Sequence, residues 1–260
     1  MSSKPNPLLT VESLSVEIGG RGILHDVCLE MKPAEWLAVV GSSGSGKSTL
    51  LRAIMGLKRP ARPTTGHMQF DGAQWHFADK ALARPSGIAF VPQSPAHGFD
   101  PLRRLRWQMA QLKRRMGREH ASHEALFNML GLPDLGGLYP HEWSRGMQQR
   151  LLLAMALMSD PKLLILDEPT SALDLIIAAQ VLEEVRRIVQ DKRIAVMMVT
   201  HDLALGARYA DNIAIMEAGH LVEFGPSEAV IAAPKTKCGR ELVAHRHWHS
   251  ASPVNDRAAR

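Results

Sequence analysis

The segment Gly41–Ser48, GSSGSGKS, constrains the fold more than any other part of the chain. It fits G-x-x-x-x-G-K-[ST] without mismatch and stands between a short apolar run, Trp36 to Val40, and the helix-forming stretch TLLRAIMGL. A run of that length ending in glycine suits a strand buried on both faces, as in a parallel sheet. Strand, glycine-rich turn and helix together predict a phosphate cradle rather than a plain glycine-rich turn. Gly41, Ser42, Gly44, Ser45, Gly46 and Thr49 are expected to surround the phosphates, with backbone N–H groups converging at a helix N-terminus that favours anions. Lys47 is expected to reach the β- and γ-phosphates, and the Ser48 hydroxyl to ligate Mg²⁺.

Two further apolar runs end in chemistry-bearing residues. Leu163 to Glu168, LLILDE, is a buried-strand pattern whose carboxylates emerge at the C-terminal end, where parallel α/β sheets place their ligands. Asp167 is expected to hold the Mg²⁺ shell and Glu168 to orient and polarise an attacking water; a solvated turn is the alternative that the nearby cradle weakens. Ile194 to Thr200, IAVMMVT, is a third buried strand, followed by His201 and Asp202. A histidine after a core strand is most often structural, but on a strand parallel to the other two it is expected to make a polar contact to the γ-phosphate. Ahead of the cradle, Val16 to Glu35 alternates loosely between apolar and polar, as half-buried antiparallel strands at a sheet edge do, with a turn at Pro33.

Composition narrows the class. With 260 residues, 45% hydrophobic and 22% charged, the chain has enough apolar material for one large core or two small ones, which excludes disordered and fibrous classes. No stretch approaches the roughly 18 to 20 uncharged apolar residues of a membrane-spanning helix, and MSSKPNPLLT lacks the apolar centre of a secretory signal, so a cytosolic chain is expected. Two cysteines, Cys28 and Cys238, are too few for a disulfide framework, and Cys28 reads as a small core residue. The net charge of +5 is concentrated. Residues 101–120 carry seven bases against Glu119, and residues 235–260 carry six against Glu241 and Asp256, which leaves the body mildly acidic. Such local basic faces suit a recognising partner; nucleic acid is possible but not implied.

With these motifs in place, the chain resembles the nucleotide-binding domains of ABC transporters over essentially Leu8 to Pro234. Six ordered segments carry the likeness: GSSGSGKS, LLILDE, Gln93 in FVPQSP at the Q-loop, SRGMQQR from Ser144 at the signature, SALD (Ser171 to Asp174) at the D-loop, and THD (Thr200 to Asp202) at the switch histidine. The resemblance implies an α/β P-loop NTPase fold with a mostly parallel sheet, an antiparallel β edge subdomain and a helical subdomain. It implies an ATP-binding domain over 1–234, its helical part at about 95–158, and a short basic tail over 235–260. ATP and Mg²⁺ are the implied ligands, with Glu168, His201 and Gln93 catalytic and Ser48, Gln93 and Asp167 around the metal. The helix after Ser144 has a hydroxyl N-cap, so its N-terminus, with Gly146, is a second anion site. In the family that site reaches ATP held by another subunit, so a head-to-tail dimer is expected, and Asp174 of the D-loop is an implied nucleotide-binding residue. Two transmembrane permease subunits docking beside Gln93, and an extracytoplasmic solute-binding protein acting through them, complete the implied assembly at the cytoplasmic face of the inner membrane. The basic run 103–118 suits that docking or a solvated helix face.

Within the family, QSPAHGFDPL (Gln93 to Leu102) and HLVEFGPSEAVIAAPK resemble peptide and nickel importer ATPases. Peptide-type subunits have a longer cysteine-bearing extension that can hold an iron–sulfur cluster; with Cys238 alone there, no cluster is expected. The short extension ending in RELVAHRHWH points to nickel or another metal chelate, with short peptides as the alternative. Three features depart from the family. Arg145 replaces the first signature glycine, which implies unequal ATP sites and a second, better-matched ATPase chain. The adenine-stacking aromatic expected near Ile18 is missing. In the tail, His245, His247 and His249 read as a disordered basic segment, with weak metal binding as the alternative. A non-transport, nucleic-acid-associated ABC ATPase is the rival class, but the coiled-coil heptads or second nucleotide domain it needs are missing.

Overall fold

A computed structural model describes residues 6–57, 59–79, 85–120, 122–170 and 175–244. The first strand, β1 (Leu9–Ile18), pairs antiparallel with β2 (Arg21–Met31) across the Gly19–Gly20 turn. The alternation of these strands is loose for a physical reason. Val11 and Leu14 both face the core although they are three residues apart, because a bulge at Glu12 and Ser13 shifts the register and puts Ser13 at φ 50°. Leu24 and Val27 repeat the pattern around Asp26 at φ 51°, whose N–H donates to Ser15 Oγ at 3.1 Å. Cys28 corrects the reading of a core residue. The alternation resumed after Asp26 turns it to the solvent face with Glu30, where its sulfur accepts from Ser13 N–H at 3.3 Å.

The third strand, β3 (Trp36–Val40), is buried throughout. The chain passes from it through the glycine-rich loop into α1 (Lys47–Ile54), then forms β4 (Arg62–Phe70) and β5 (Ala73–His76), joined by Asp71–Gly72, both at positive φ, as a two-residue hairpin demands. The antiparallel edge sheet therefore has the order β2-β1-β4-β5. It begins at Leu9 and takes in residues well beyond Glu35.

The second sheet continues with β6 (Ile88–Val91), β7 (Leu163–Asp167), β8 (Ala195–Thr200), β9 (Asn212–Glu217) and β10 (His220–Pro226), in the order β10-β9-β3-β8-β7-β6. Every pairing is parallel except the β9–β10 hairpin. Because side chains alternate along each strand, Leu37, Val39, Leu163, Ile165, Met197 and Val199 pack with α1 and the edge sheet. Ala38, Val40, Leu164, Leu166, Val196 and Met198 pack the opposite way.

That opposite layer is helical. Between β6 and β7 lie a 3₁₀ turn at Pro95–Gly98, α2 (Leu105–Arg115), α3 (Glu124–Met129), a second 3₁₀ turn at Pro140–Glu142 and α4 (Arg145–Met158). Helix α5 (Leu175–Lys192) buries Ala178, Val181, Leu182, Val185, Ile188 and Val189, an i, i+3, i+4, i+7 stripe. The fold closes with α6 (Leu203–Tyr209), α7 (Ser227–Ala232) and α8 (Lys237–Ala244). Asp202 caps α6 by accepting from Ala204 and Leu205 N–H at 2.8 and 3.2 Å. Among the described residues no helix is long and apolar enough to cross a membrane. His245, His247 and His249 lie outside the described residues.

Candidate functional site

The loop after β3 is shaped by what glycine permits. A Cβ at Gly41 would lie 2.3 Å from the Met216 carbonyl oxygen, and one at Gly46, which sits at φ 103°, would lie 2.6 Å from Leu24. Gly46 is the N-cap of α1 and offers no side-chain oxygen, so the first N–H groups of the helix are left for a ligand. The loop is braced from behind by the β9–β10 turn: Gly219 N–H donates to the Ser45 carbonyl, and His25 N–H to the Gly219 carbonyl, each at 3.0 Å. Lys47 is buried, and its ammonium donates to the carbonyls of Gly41 and Ser42 at 2.7 and 2.8 Å and to Ser45 Oγ at 3.4 Å. Burial holds its pKa below the ordinary lysine value, against the opposing pull of the Glu168 and Asp167 carboxylates.

Strands β7 and β8 deliver the acids and the histidine from the side. Asp167 is the last residue of β7, and Glu168 follows at φ 44° with its N–H donating to the Val199 carbonyl at 2.9 Å. That backbone turn sends the two neighbouring carboxylates in different directions. Glu168 Oε2 accepts from Gln93 Nε2 at 2.7 Å, while Oε1 lies 3.1 Å from His201 Nδ1. The His201 side chain is 68% exposed against 20% for Glu168, so this pair opens to solvent on the histidine side. Burial, then the Glu168 charge, pushes the Asp167 pKa up, with Lys47 and Arg52 opposing.

These groups share one cleft of about 450 Å³, lined by Gly44, Gly46, Lys47, Ser48, Thr49, Gln93, Asp167, Glu168 and His201 together with Ile23, Ser43 and Val199. Gly41, Ser42 and Ser45 stand behind it and hold Lys47. Ile23, Ser43 and Val199 were not singled out in the sequence, where Ile23 is one apolar residue among several in β2. The donor set suits a nucleoside polyphosphate: uncapped helix N–H groups and a buried ammonium for the anion. The Ser48 hydroxyl and the Asp167 carboxylate are hard oxygen ligands of the kind Mg²⁺ prefers. A second, larger cleft of about 880 Å³ shares Ser48, Gln93 and Asp167 with the first and runs outward past Arg52, Phe90 and His97.

Ser144 and Gly146 are not brought to this cleft. They sit at the N-terminus of α4, where Ser144 Oγ accepts from Met147 N–H at 3.2 Å and both Ser144 and Arg145 are exposed. The helix is tied to the nucleotide side by Gln149, whose amide donates to the Pro92 carbonyl, next to Gln93, at 3.3 Å. Asp174, with the rest of SALD, lies outside the described residues. Ile18, at the end of β1, is half-buried.

The fold and the cleft together define an ATPase of the P-loop class. The chain belongs to the ABC transporter family: residues 24–171 match the family model described as ABC transporter. It is 36% identical to the dipeptide transport ATP-binding protein DppD of Escherichia coli (strain K12), over 88% of this chain and 75% of that one. It is 34% identical to the nickel import ATP-binding protein NikD of Rhodospirillum rubrum, over 92% of this chain and 95% of that one. Among solved structures, an ATP-binding subunit of an ABC transporter superposes with a TM-score of 0.73 at 26% identity, covering 86% of this chain and 92% of that one. The chain is thus an ATP-hydrolysing subunit of the ABC type, in the class that includes peptide and nickel importer ATPases.

Proposed function

We propose that this chain powers uptake of nickel or another metal chelate through separate membrane subunits, by binding and hydrolysing ATP at the cleft between Lys47 and Glu168. The observation that carries the ATP-hydrolysing part of this reading is the convergence of Lys47, Ser48, Gln93, Asp167, Glu168 and His201 on one cleft from three neighbouring parallel strands and the end of a fourth; the nickel part is supported by the nickel import relative, 95% of whose length aligns with this chain. The α1 N-terminus and Lys47 bind the β- and γ-phosphates, with Gly44, Gly46 and Thr49 around them and Gly41, Ser42 and Ser45 shaping the turn. Ser48, Asp167 and Gln93 hold Mg²⁺, which when bound neutralises charge on the phosphates. Glu168 orients and polarises the attacking water, and His201, anchored on Glu168, contacts the γ-phosphate from the solvent side.

The exposed α4 N-terminus, with Ser144 and Gly146, engages ATP bound to a second, non-identical ATPase chain, and Asp174 joins that interface. ATP then acts as the glue, and loss of the γ-phosphate contacts lets the pair open. In this reading residues 1–234 are the ATP-binding domain with a helical part at about 95–158, and 235–260 are a basic tail. The larger cleft accepts a short cytoplasmic helix from one of two permease subunits, since it joins the nucleotide site to the surface through Gln93. The chain works at the cytoplasmic face of the inner membrane, a solute-binding protein acts from the other side, and nucleic acid plays no part. Short-peptide uptake is the second reading, supported by the dipeptide transport relative.

Two measurements test this. The Glu168→Gln chain, trapped with ATP and Mg²⁺ and extracted in mild detergent, should bring down two multi-span proteins and a second ATPase; nucleic acid or ribosomes without membrane proteins would overturn the transport reading. Uptake of radiolabelled Ni²⁺ and of a labelled dipeptide by cells with and without the gene separates the two solutes. Loss of dipeptide uptake alone overturns the nickel reading.

A further inference from the structure

We propose that His67 and His76, on the solvent face of the edge sheet, form a binding site for a divalent transition-metal ion of the zinc, nickel and copper group, separate from the nucleotide cleft. The two residues are direct cross-strand partners in the β4–β5 hairpin, so their side chains leave the same face at the closest lateral spacing a sheet offers. Their ring centroids are 4.3 Å apart and the rings stand at 72° to each other. Both are exposed, and among the described residues neither ring has a hydrogen-bond partner.

Placement on the sheet is what singles this pair out. A metal bound at about 2.0–2.1 Å by an imidazole nitrogen lies close to the plane of that ring, because the lone pair does. The rings meet edge to face at 4.3 Å, so side-chain rotation of these two exposed residues is what brings a nitrogen of each to one ion. The next strand adds an oxygen ligand within reach: Glu12 on β1 is the direct partner of His67, on the same exposed face. Among the described residues no three ligating side chains already converge on one point, so the ion gathers its ligands from exposed side chains that are free to turn. Glu12 and water complete the shell by side-chain rotation. Two imidazoles with a carboxylate suit Cu²⁺, Ni²⁺ and Zn²⁺ and disfavour Mg²⁺, so the ion used for ATP hydrolysis does not compete. A bound ion would clip β5, an edge strand held to β4 by four paired positions, to its neighbour.

The test is calorimetric titration of the full nucleotide-free chain with Zn²⁺, alongside a full-length variant carrying His245→Ala, His247→Ala and His249→Ala to silence the tail. The expected result is one ion per chain that persists in the tail variant and weakens about tenfold or more in His67→Gln and in His76→Gln. Unchanged affinity in both glutamine variants, or binding that vanishes with the tail substitutions, overturns the proposal. Should either glutamine variant fail to fold, ring-nitrogen NMR of the unsubstituted chain decides: His67 and His76 should shift together on adding Zn²⁺, and static signals overturn the site.

Discussion

Gln93 and Glu168 are joined across the nucleotide cleft, the glutamine amide donating to the glutamate carboxylate at 2.7 Å. The bond links the end of β6, which opens onto the larger cleft, to the residue proposed to activate water. Replacing Glu168 by glutamine keeps the volume but removes the carboxylate to which that role is assigned. In the assembled transporter Glu168→Gln should lower single-turnover hydrolysis by about 10² or more while leaving ATP affinity within about threefold. Gln93→Ala, which leaves Glu168 and His201 paired, should lower it by less. Turnover within twofold of the parent for Glu168→Gln would remove the assigned role.

Asp167 is held above the usual carboxylate range by its surroundings, burial first and the Glu168 charge second. Stability contributed by its neutral form is complete below the unfolded value of 3.8 and is lost as pH rises through the higher folded value. Asp167→Asn, neutral at every pH, should raise the melting temperature of the nucleotide-free chain at pH 7 by about 2 °C. It should also flatten the decline above pH 4 and abolish Mg²⁺-dependent nucleotide binding. Scanning fluorimetry from pH 4 to 8 checks it, and an unchanged or lower melting temperature at pH 7 would refute it.

The α4 N-terminus separates folding from function in adjacent residues. Ser144→Ala removes the acceptor of the Met147 N–H bond and should cost about 1 kcal/mol, read as a melting shift of about 2–4 °C. Arg145 is exposed and makes no ion pair among the described residues, so Arg145→Gly should leave stability within about 0.5 kcal/mol. The same change should raise hydrolysis in the assembled complex, because in the proposed head-to-tail pairing the guanidinium faces the phosphates of ATP on the partner chain. Unchanged turnover would show that Arg145 does not limit the composite site.

The described lining of the cleft includes no Phe, Tyr or Trp, Ile18 is half-buried at the end of β1, and Ile23 is an apolar residue that lines the cleft. An aliphatic wall grips a purine by contact area without reading its edges. GTP should therefore support turnover nearly as well as ATP in a competition assay with the assembled complex. A preference above about tenfold, equivalent to about 1.4 kcal/mol, would reveal a base-reading group.

The parts of this molecule that could be read in advance are those where chemistry and burial coincide. GSSGSGKS follows a run buried on both faces, the acids of LLILDE close another, and β3 spans the five residues of its apolar run. The edge sheet was harder. Bulges at Ser13 and Asp26 place apolar partners three residues apart, a spacing that belongs to neither pure alternation nor a helix. The same bulges carry Cys28 to the surface, against the usual tendency of a small sulfur side chain. The β4–β5 hairpin had one available signal, the Asp71–Gly72 turn, diluted by Pro63 and Gly66 within the preceding strand. Ile23 in the cleft left no signal, since its role comes from the distant turn that packs beside it.

That turn fixes how small a working piece of this protein can be. Every recognisable nucleotide motif but the switch histidine falls within or close to residues 24–171, yet the phosphate loop leans on Gly219, where a Cβ would sit 2.3 Å from the Ile23 carbonyl oxygen. A fragment carrying the motifs but ending before the β9–β10 turn would keep its signature residues and lose the wall that holds Ser45 and Ile23 in place. The inheritable unit of nucleotide binding here is the closed pair of sheets, and its keystone is a glycine with no chemistry of its own.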